Sequence, residues 1–329
     1  MKQDAFEAQF SPRWDRLERW IATLENRAER DRDPQLWRQM GNEFPSAYRE
    51  VCHHLALAKA RRYSLALQTR LNRLALTGHR QLYRTRTPVL MLIGRFLVHE
   101  FPVCFREHWK PIAWSAVLLY LPAFLMAFGI WIDSELLYSL ITPGDVAMME
   151  EMYDPGNDVL GRERASDTDV MMFGYYIYNN VTIGFQVFAG GLLFGIGSVF
   201  YLVFNGLYFG AVGYHLSSIG FAKPFWSFVS GHSSFELTAI VIFGGLGLAM
   251  GYRAIAPGRQ GRWQAIAEQA RNGVPLIYGG TLMLFTAAFI EAFWSSTTWP
   301  PSFVKYGVGI AFWLLLGLYF FGMGRGAAR

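Results

Sequence analysis

The sequence predicts an all-α fold, a polytopic membrane helix bundle of about six transmembrane helices preceded by an N-terminal helical cytoplasmic domain. Three observations lead there. Charged residues make up 17% of the 329 positions, against about 25% in a typical soluble domain. Apolar runs long enough to cross hydrocarbon, about 20 residues each, recur through the second two thirds of the chain. Apolar residues elsewhere repeat at three and four, and no stretch alternates with the period of a strand.

Charge then divides the chain. Residues 1–110 hold 20 of the 30 Lys+Arg and 12 of the 25 Asp+Glu. Within them, residues 1–87 read as a water-facing helical domain. Ser11-Pro12 is an N-cap with Pro in the first turn, opening a helix whose face carries Trp14, Leu17, Trp20, Ile21 and Leu24. Tyr48, Val51, Leu55 and Ala58 give a second face, and Leu67, Leu71, Leu74, Gly78 and Leu82 a third, with a break near Arg61-Arg62-Tyr63. Residues 88–110 are intermediate. Val89 to Val98 is apolar but interrupted by Arg95 and followed by His99 and Glu100, too short and too polar to span. An elbow helix lying at the inner interface and a buried helix of the N-terminal domain fit this pattern equally. Arg84, Arg86, Arg95, Arg106 and Lys110 suit anionic lipid heads.

The bundle occupies 111–329, with helices expected at about 111–132, 178–203, 206–221, 234–252, 275–295 and 304–323. Their number follows from charge. The loop 133–169 has ten acidic residues against Arg162 and Arg164, whereas 253–274 carries Arg253, Arg259, Arg262 and Arg271 against Glu268. Basic loops stay cytoplasmic. Only two crossings within 170–222 put every basic segment inside, both termini cytoplasmic and the acidic loop outside. Asn205-Gly206 supplies the expected turn, and Asn179-Asn180 the amides that cap free backbone groups at the lead-in to the second helix. The third helix is then short, and a re-entrant hairpin is its alternative. Gly191 and Gly195, Gly206 and Gly210, and Gly247 and Gly251 are each four apart, a spacing that lets helix backbones approach closely. The first twenty residues lack the apolar core of a signal peptide.

Few ionisable residues fall inside these helices. His232 and Glu236 share a face four residues apart, and Glu291 lies about one turn from the outer end of the fifth helix. With Asn205 they form the candidate intramembrane polar site. Such groups are costly in lipid and mark a site by default. Structural pairing, with Ser233, Ser234, Ser295, Ser296 and Thr297 as available partners, a proton or ion path, and a divalent metal held by His232, Glu236 and Glu291 are the three readings. The second histidine of a zinc-protease helix is missing, and there is no P-loop, no Ser/His/Asp arrangement and no cofactor fingerprint. No cofactor and no nucleic acid is therefore expected. Cys52 and Cys104 are expected to be free thiols.

The runs NNVTIGFQVFAGGLLFGIGSVFYLVFNGLYFGAV (179–212), GHSSFELTAIVIFGGLGLAMG (231–251) and AAFIEAFWSS (287–296) resemble the stage II sporulation protein M family of integral membrane proteins. The matching positions are Asn179, Asn180, Gly190, Gly191, Gly195, Asn205, Gly206, His232, Glu236, Leu237 and Glu291. The segments FPSAYREVCHHLALAKARR, LNRLALTGHRQLYR and FPVCFREHW look like those that precede the first crossing in non-sporulating members. Gly231 stands where many members have Pro. The resemblance implies a non-enzymatic scaffold or subunit of an envelope-associated complex in the bacterial inner membrane. Its implied partners are a MoxR-type AAA+ ATPase or envelope proteins and peptidoglycan hydrolases; the apolar runs add the lipid bilayer, and a face of glycines for a second copy of the chain is the alternative to packing within one bundle. A transporter or channel using His232, Glu236 and Glu291 is the first alternative and an intramembrane metal-dependent enzyme the second.

Overall fold

A computed structural model describes residues 1–25, 34–82, 88–157, 160–161 and 169–325. Among them there is no β-strand. The chain divides into two compact units, Met1–Val89 and Leu90–Arg329.

Among its described residues the first unit has three helices: α1 (Gln3–Glu25), α2 (Pro34–Ala60) and α3 (Leu65–Leu82). The helix start expected at Ser11-Pro12 is displaced. α1 begins at Gln3 and runs through Pro12. Phe6, one turn before Phe10, belongs to the same buried face as Trp14, Leu17 and Ile21, so the apolar stripe extends the helix backwards. Val51, Ala58, Leu67, Leu71 and Leu74 close the core from α2 and α3. The break falls at Arg62, whose φ of 51° is left-handed and ends α2. Arg70 ties α3 to α1, with Nε and Nη2 each 3.1 Å from a Glu18 carboxylate oxygen and Nη2 2.5 Å from Asp15 Oδ1. These carboxylates hold the guanidinium pKa above its ordinary value. Inside the core, the Trp14 indole N–H donates to His54 Nδ1 at 3.0 Å. Burial pushes the His54 pKa down, so the ring is neutral and able to accept that bond.

The second unit opens with a continuous helical rod: α4 (Val89–Arg95), a π turn over Phe96–Glu100, and α5 (Phe101–Glu107). Val89, Leu90, Met91, Leu92 and Ile93 are all exposed. Its far end packs on the bundle. Phe101 and Cys104 enter the bundle core, and Arg106 Nη1 donates to the carbonyls of Phe320 (2.6 Å) and Met323 (2.8 Å) at the end of the last helix.

Six long helices follow: α6 (Trp109–Ile132), then, after a short α7 (Pro143–Met152), α8 (Asp169–Ala189), α9 (Ile196–Ser218) and α10 (Ala222–Ile255), then, after α11 (Arg262–Asn272), α12 (Val274–Ile290) with a π turn over Glu291–Ser295, and α13 (Ser302–Gly322). Five of them, all but α8, are long and apolar enough to cross a membrane. α8 has comparable length but carries Asn179, Asn180, Thr182 and Gln186. Its direction follows from its neighbours. A Cβ on Gly206 would meet Leu119 O and one on Gly210 would meet Ala123 O, so α6 and α9 run parallel and the chain must return between them. α8 is that return. Likewise Gly184 faces Phe243 and Gly191 faces Gly247, so α8 runs parallel to α10.

The turn expected at Asn205-Gly206 is not there. α9 is continuous across it, and Asn205 Nδ2 satisfies itself on the Tyr201 carbonyl one turn back, at 2.7 Å. The chain turns at 190–195, where Phe194 (φ 55°) and Gly195 (φ 84°) adopt left-handed conformations. The helices placed at 178–203 and 206–221 are therefore 169–189 and 196–218, and the latter is no short or re-entrant segment. Gly191 and Gly195 consequently do not share a helix face. They make the turn, and both back onto α10, at Gly247 and Gly251. Gly190 likewise meets Gly197 across the hairpin. Asn179 and Asn180, expected as caps, lie in the middle of α8, whose first residue is Asp169. Within the acidic segment, Thr142 is the N-cap of α7 and accepts from the Asp145 N–H at 3.3 Å.

Candidate functional site

The polar residues of the bundle gather where α10, the end of α12, α8 and α9 meet. α10 is 34 residues long, roughly 50 Å at 1.5 Å per residue, well over the ~30 Å hydrocarbon core. His232 and Glu236 lie in its first half, one turn apart on one face. Glu291 opens the π turn that ends α12. Such turns insert one residue and are frequent at functional positions. Here the turn carries Glu291 and Ser295 together on its buried side.

His232 Nε2 is 3.7 Å from Glu236 Oε2. One donor atom each from His232, Glu236 and Glu291 can be chosen so that all lie within 4.8 Å of one another. The other ring nitrogen of His232, Nδ1, is 3.0 Å from Ser295 Oγ. Asn180 Nδ2 donates to Glu291 Oε2 at 3.5 Å, and Asn179 Nδ2 to Asn180 Oδ1 at 3.0 Å. The two asparagines thus orient a carboxylate rather than a helix end. Lys305, in the first turn of α13, is almost fully buried. Its Nζ donates to Ser295 O at 2.7 Å and to Thr297 O. The lysine therefore caps the carbonyl end of the π turn at Ser295, the residue whose hydroxyl faces His232.

His232, Glu236 and Glu291 line a cavity of about 230 Å³, together with Asn205, Tyr120 and Tyr208. That is several times the roughly 30 Å³ share of one liquid water. A neighbouring cavity of about 470 Å³ shares Asn205, Tyr208 and Glu291 and adds Asn179 and Tyr176. Asn205 thus borders the site from within α9, not from a turn.

Gly206 and Gly210 hold α9 against α6, and Gly191 and Gly195 hold the α8–α9 turn against α10. These contacts fix the helices that carry the polar groups. Spacing in the sequence pairs neither Asn180 with Glu291, nor Ser295 with His232, nor Lys305 with the 295–297 carbonyls. The signal for Lys305 was present: it is the sole cation between Arg271 and Arg325.

The stage II sporulation protein M family matches residues 115–296, more than half of the chain. The chain belongs to the stage II sporulation protein M family. Residues 4–84 match a domain of unknown function, a range inside the first structural unit. No curated protein and no solved structure is detectably similar to the chain. With its candidate spans, family membership makes this a multi-pass membrane protein.

Proposed function

We propose that this family member is a non-enzymatic scaffold, or a subunit, of an envelope-associated complex in the bacterial inner membrane, with both termini in the cytoplasm. The observation that carries the reading is backbone-to-backbone packing. Gly190 on Gly197, Gly191 on Gly247, Gly206 on Leu119, Gly210 on Ala123 and Gly309 on Ser230 leave no room even for a Cβ. Helices joined in this way resist sliding and rocking, since cores and interfaces hold discrete arrangements rather than deforming continuously. That suits a fixed platform. The helical unit Met1–Val89 has its own core and an arginine-rich surface, and is the part that docks soluble partners such as a MoxR-type AAA+ ATPase. Peptidoglycan hydrolases are the partner class on the opposite side. The orientation rests on Arg253, Arg259, Arg262 and Arg271 at one end of the bundle and the acidic segment 133–169 at the other.

The test is crosslinking of tagged full-length protein in its native membrane, followed by identification of what is recovered. The scaffold reading expects an AAA+ ATPase or an envelope protein, lost when residues 1–89 are deleted while the remainder stays inserted. Recovery of the chain with lipid alone would defeat it.

A second reading is favoured by the convergence of His232, Glu236 and Glu291 on a cavity: a proton- or ion-conducting protein. Glu236→Gln with Glu291→Gln leaves a scaffold assembled and active, and abolishes proton-coupled flux if the second reading holds.

A further inference from the structure

We propose that His232, Glu236 and Glu291 bind one divalent first-row transition ion, of the zinc type, which clamps α10 to the end of α12. The inference does not depend on the scaffold reading.

Donor chemistry comes first. One imidazole and two carboxylates are a mixed N/O set of the kind that Zn²⁺ and its neighbours accept. In a tetrahedral site with bonds of about 2.0–2.2 Å, donors lie roughly 3.3–3.6 Å apart. The His232–Glu236 pair already stands at 3.7 Å, and the whole set within 4.8 Å. Rotation about the glutamate side-chain bonds covers the remaining distance.

The surroundings then fit a ligand set rather than a chance cluster. A metal-bound histidine uses its second nitrogen to fix the ring, through a hydrogen bond to a neighbouring group. His232 Nδ1 faces Ser295 Oγ at 3.0 Å. With the proton on Nδ1 donated there, Nε2 presents its lone pair toward Glu236. A ligating carboxylate is itself hydrogen-bonded, and Asn180 Nδ2 meets Glu291 Oε2. Asn179 in turn donates to Asn180 Oδ1, leaving the Asn180 amide nitrogen for Glu291.

Three protein donors leave a fourth position, and all three line the same cavity, so that position opens into it and accepts water.

The experiment uses full-length protein with a streptavidin-affinity tag, to avoid a histidine tag. It is extracted in detergent, stripped with EDTA, then loaded separately with Zn²⁺ and Co²⁺. We expect about one Zn²⁺ per chain surviving gel filtration. Glu236→Gln and Glu291→Gln should each cut this at least tenfold, and Ser295→Ala should weaken affinity roughly 10-fold, as loss of a supporting partner does. Wild-type protein with Co²⁺ should show visible d–d bands of a low-coordinate site that Zn²⁺ displaces, a readout that needs no variant to fold. Metal-free wild type with no cobalt bands overturns the proposal. So does folded variant protein that retains as much zinc as wild type.

Discussion

Gly206 and Gly210 offer a direct test of how the bundle is held. A Cβ built on Gly206 lies 2.1 Å from the carbonyl oxygen of Leu119, and one on Gly210 lies 2.1 Å from that of Ala123. A carbon–oxygen contact settles at about 3.3 Å, so alanine at either site must part α6 and α9 by roughly 1.2 Å. The obstacle is helical backbone and has no rotamer to retreat into. The cost therefore belongs near the top of the overpacking range, about 3 kcal/mol. Alanine returns about 1 kcal/mol of helix propensity over glycine. The net loss is about 2 kcal/mol for one site. The two sites share one interface, so a double variant falls short of twice that. At roughly 2–4 °C per kcal/mol for a unit of this size, Gly206→Ala should lower the melting temperature by about 4–8 °C. Gly307 and Gly317 in α13 are the control, because a Cβ there meets nothing within 4 Å. Alanine at those sites keeps only the propensity term and should raise the melting temperature by about 2–4 °C. The assay is thermal unfolding of full-length protein in one detergent, followed by tyrosine and tryptophan fluorescence. Shifts of the same sign at Gly206 and Gly317 would refute the close-packing argument.

Three further outcomes follow from the same structure. His54 is held neutral in the native core, so the unfolded chain binds more protons below its own pKa of about 6.5. Its contribution is constant above that pH and is lost as pH falls from about 6.5 toward the lowered native value. Hydrogen exchange of the α1 backbone, corrected for intrinsic rate, should speed up between pH 7 and 5.5, and His54→Gln should flatten that change. The Cys104 thiol is pushed up to about 11 by burial, with Glu107 adding to the effect. At pH 8 a maleimide should label Cys52 well before Cys104, and equal rates would contradict the burial. Lys305→Met removes both hydrogen bonds to the 295–297 carbonyls. At about 1–3 kcal/mol for each buried acceptor left bare, it should lower the melting temperature by several degrees, and an unchanged transition would show the lysine to be idle.

Much of the fold was legible because lipid imposes simple rules on composition. Length and apolarity located five of the long helices, and charge asymmetry between 133–169 and 253–274 required a return between α6 and α9. Gly206–Gly210 and Gly247–Gly251 pack closely, as their spacing implies, and the sequence misled only on where the chain turns. Asn205-Gly206 has the better turn chemistry by soluble-protein standards, yet Asn205 folds back on Tyr201 O and Gly206 serves close approach. Gly195 serves φ. Spacing alone does not separate these uses, since each demands only a missing Cβ. The site was legible as a set of rare ionisable residues. Its partners were not, because Asn180 meets Glu291 across 111 positions of sequence and no periodicity links them. α8 concealed this by looking like a capped lead-in, when its amides face inward from mid-helix.

The parallel pairing of α6 with α9 and of α8 with α10 also constrains biogenesis. The members of each of these pairs are not neighbours in synthesis. When α6 leaves the ribosome, the groove that will receive the Gly206–Gly210 stripe has no occupant, and α9 ends 86 positions after α6 does, at Ser218 against Ile132. Through that interval α6 must persist in lipid without α9. Insertion and packing are thus separate events in this chain. A ribosome stalled before residue 196 should leave α6 inserted but unpartnered, exposed to the quality-control proteases that survey orphaned helices.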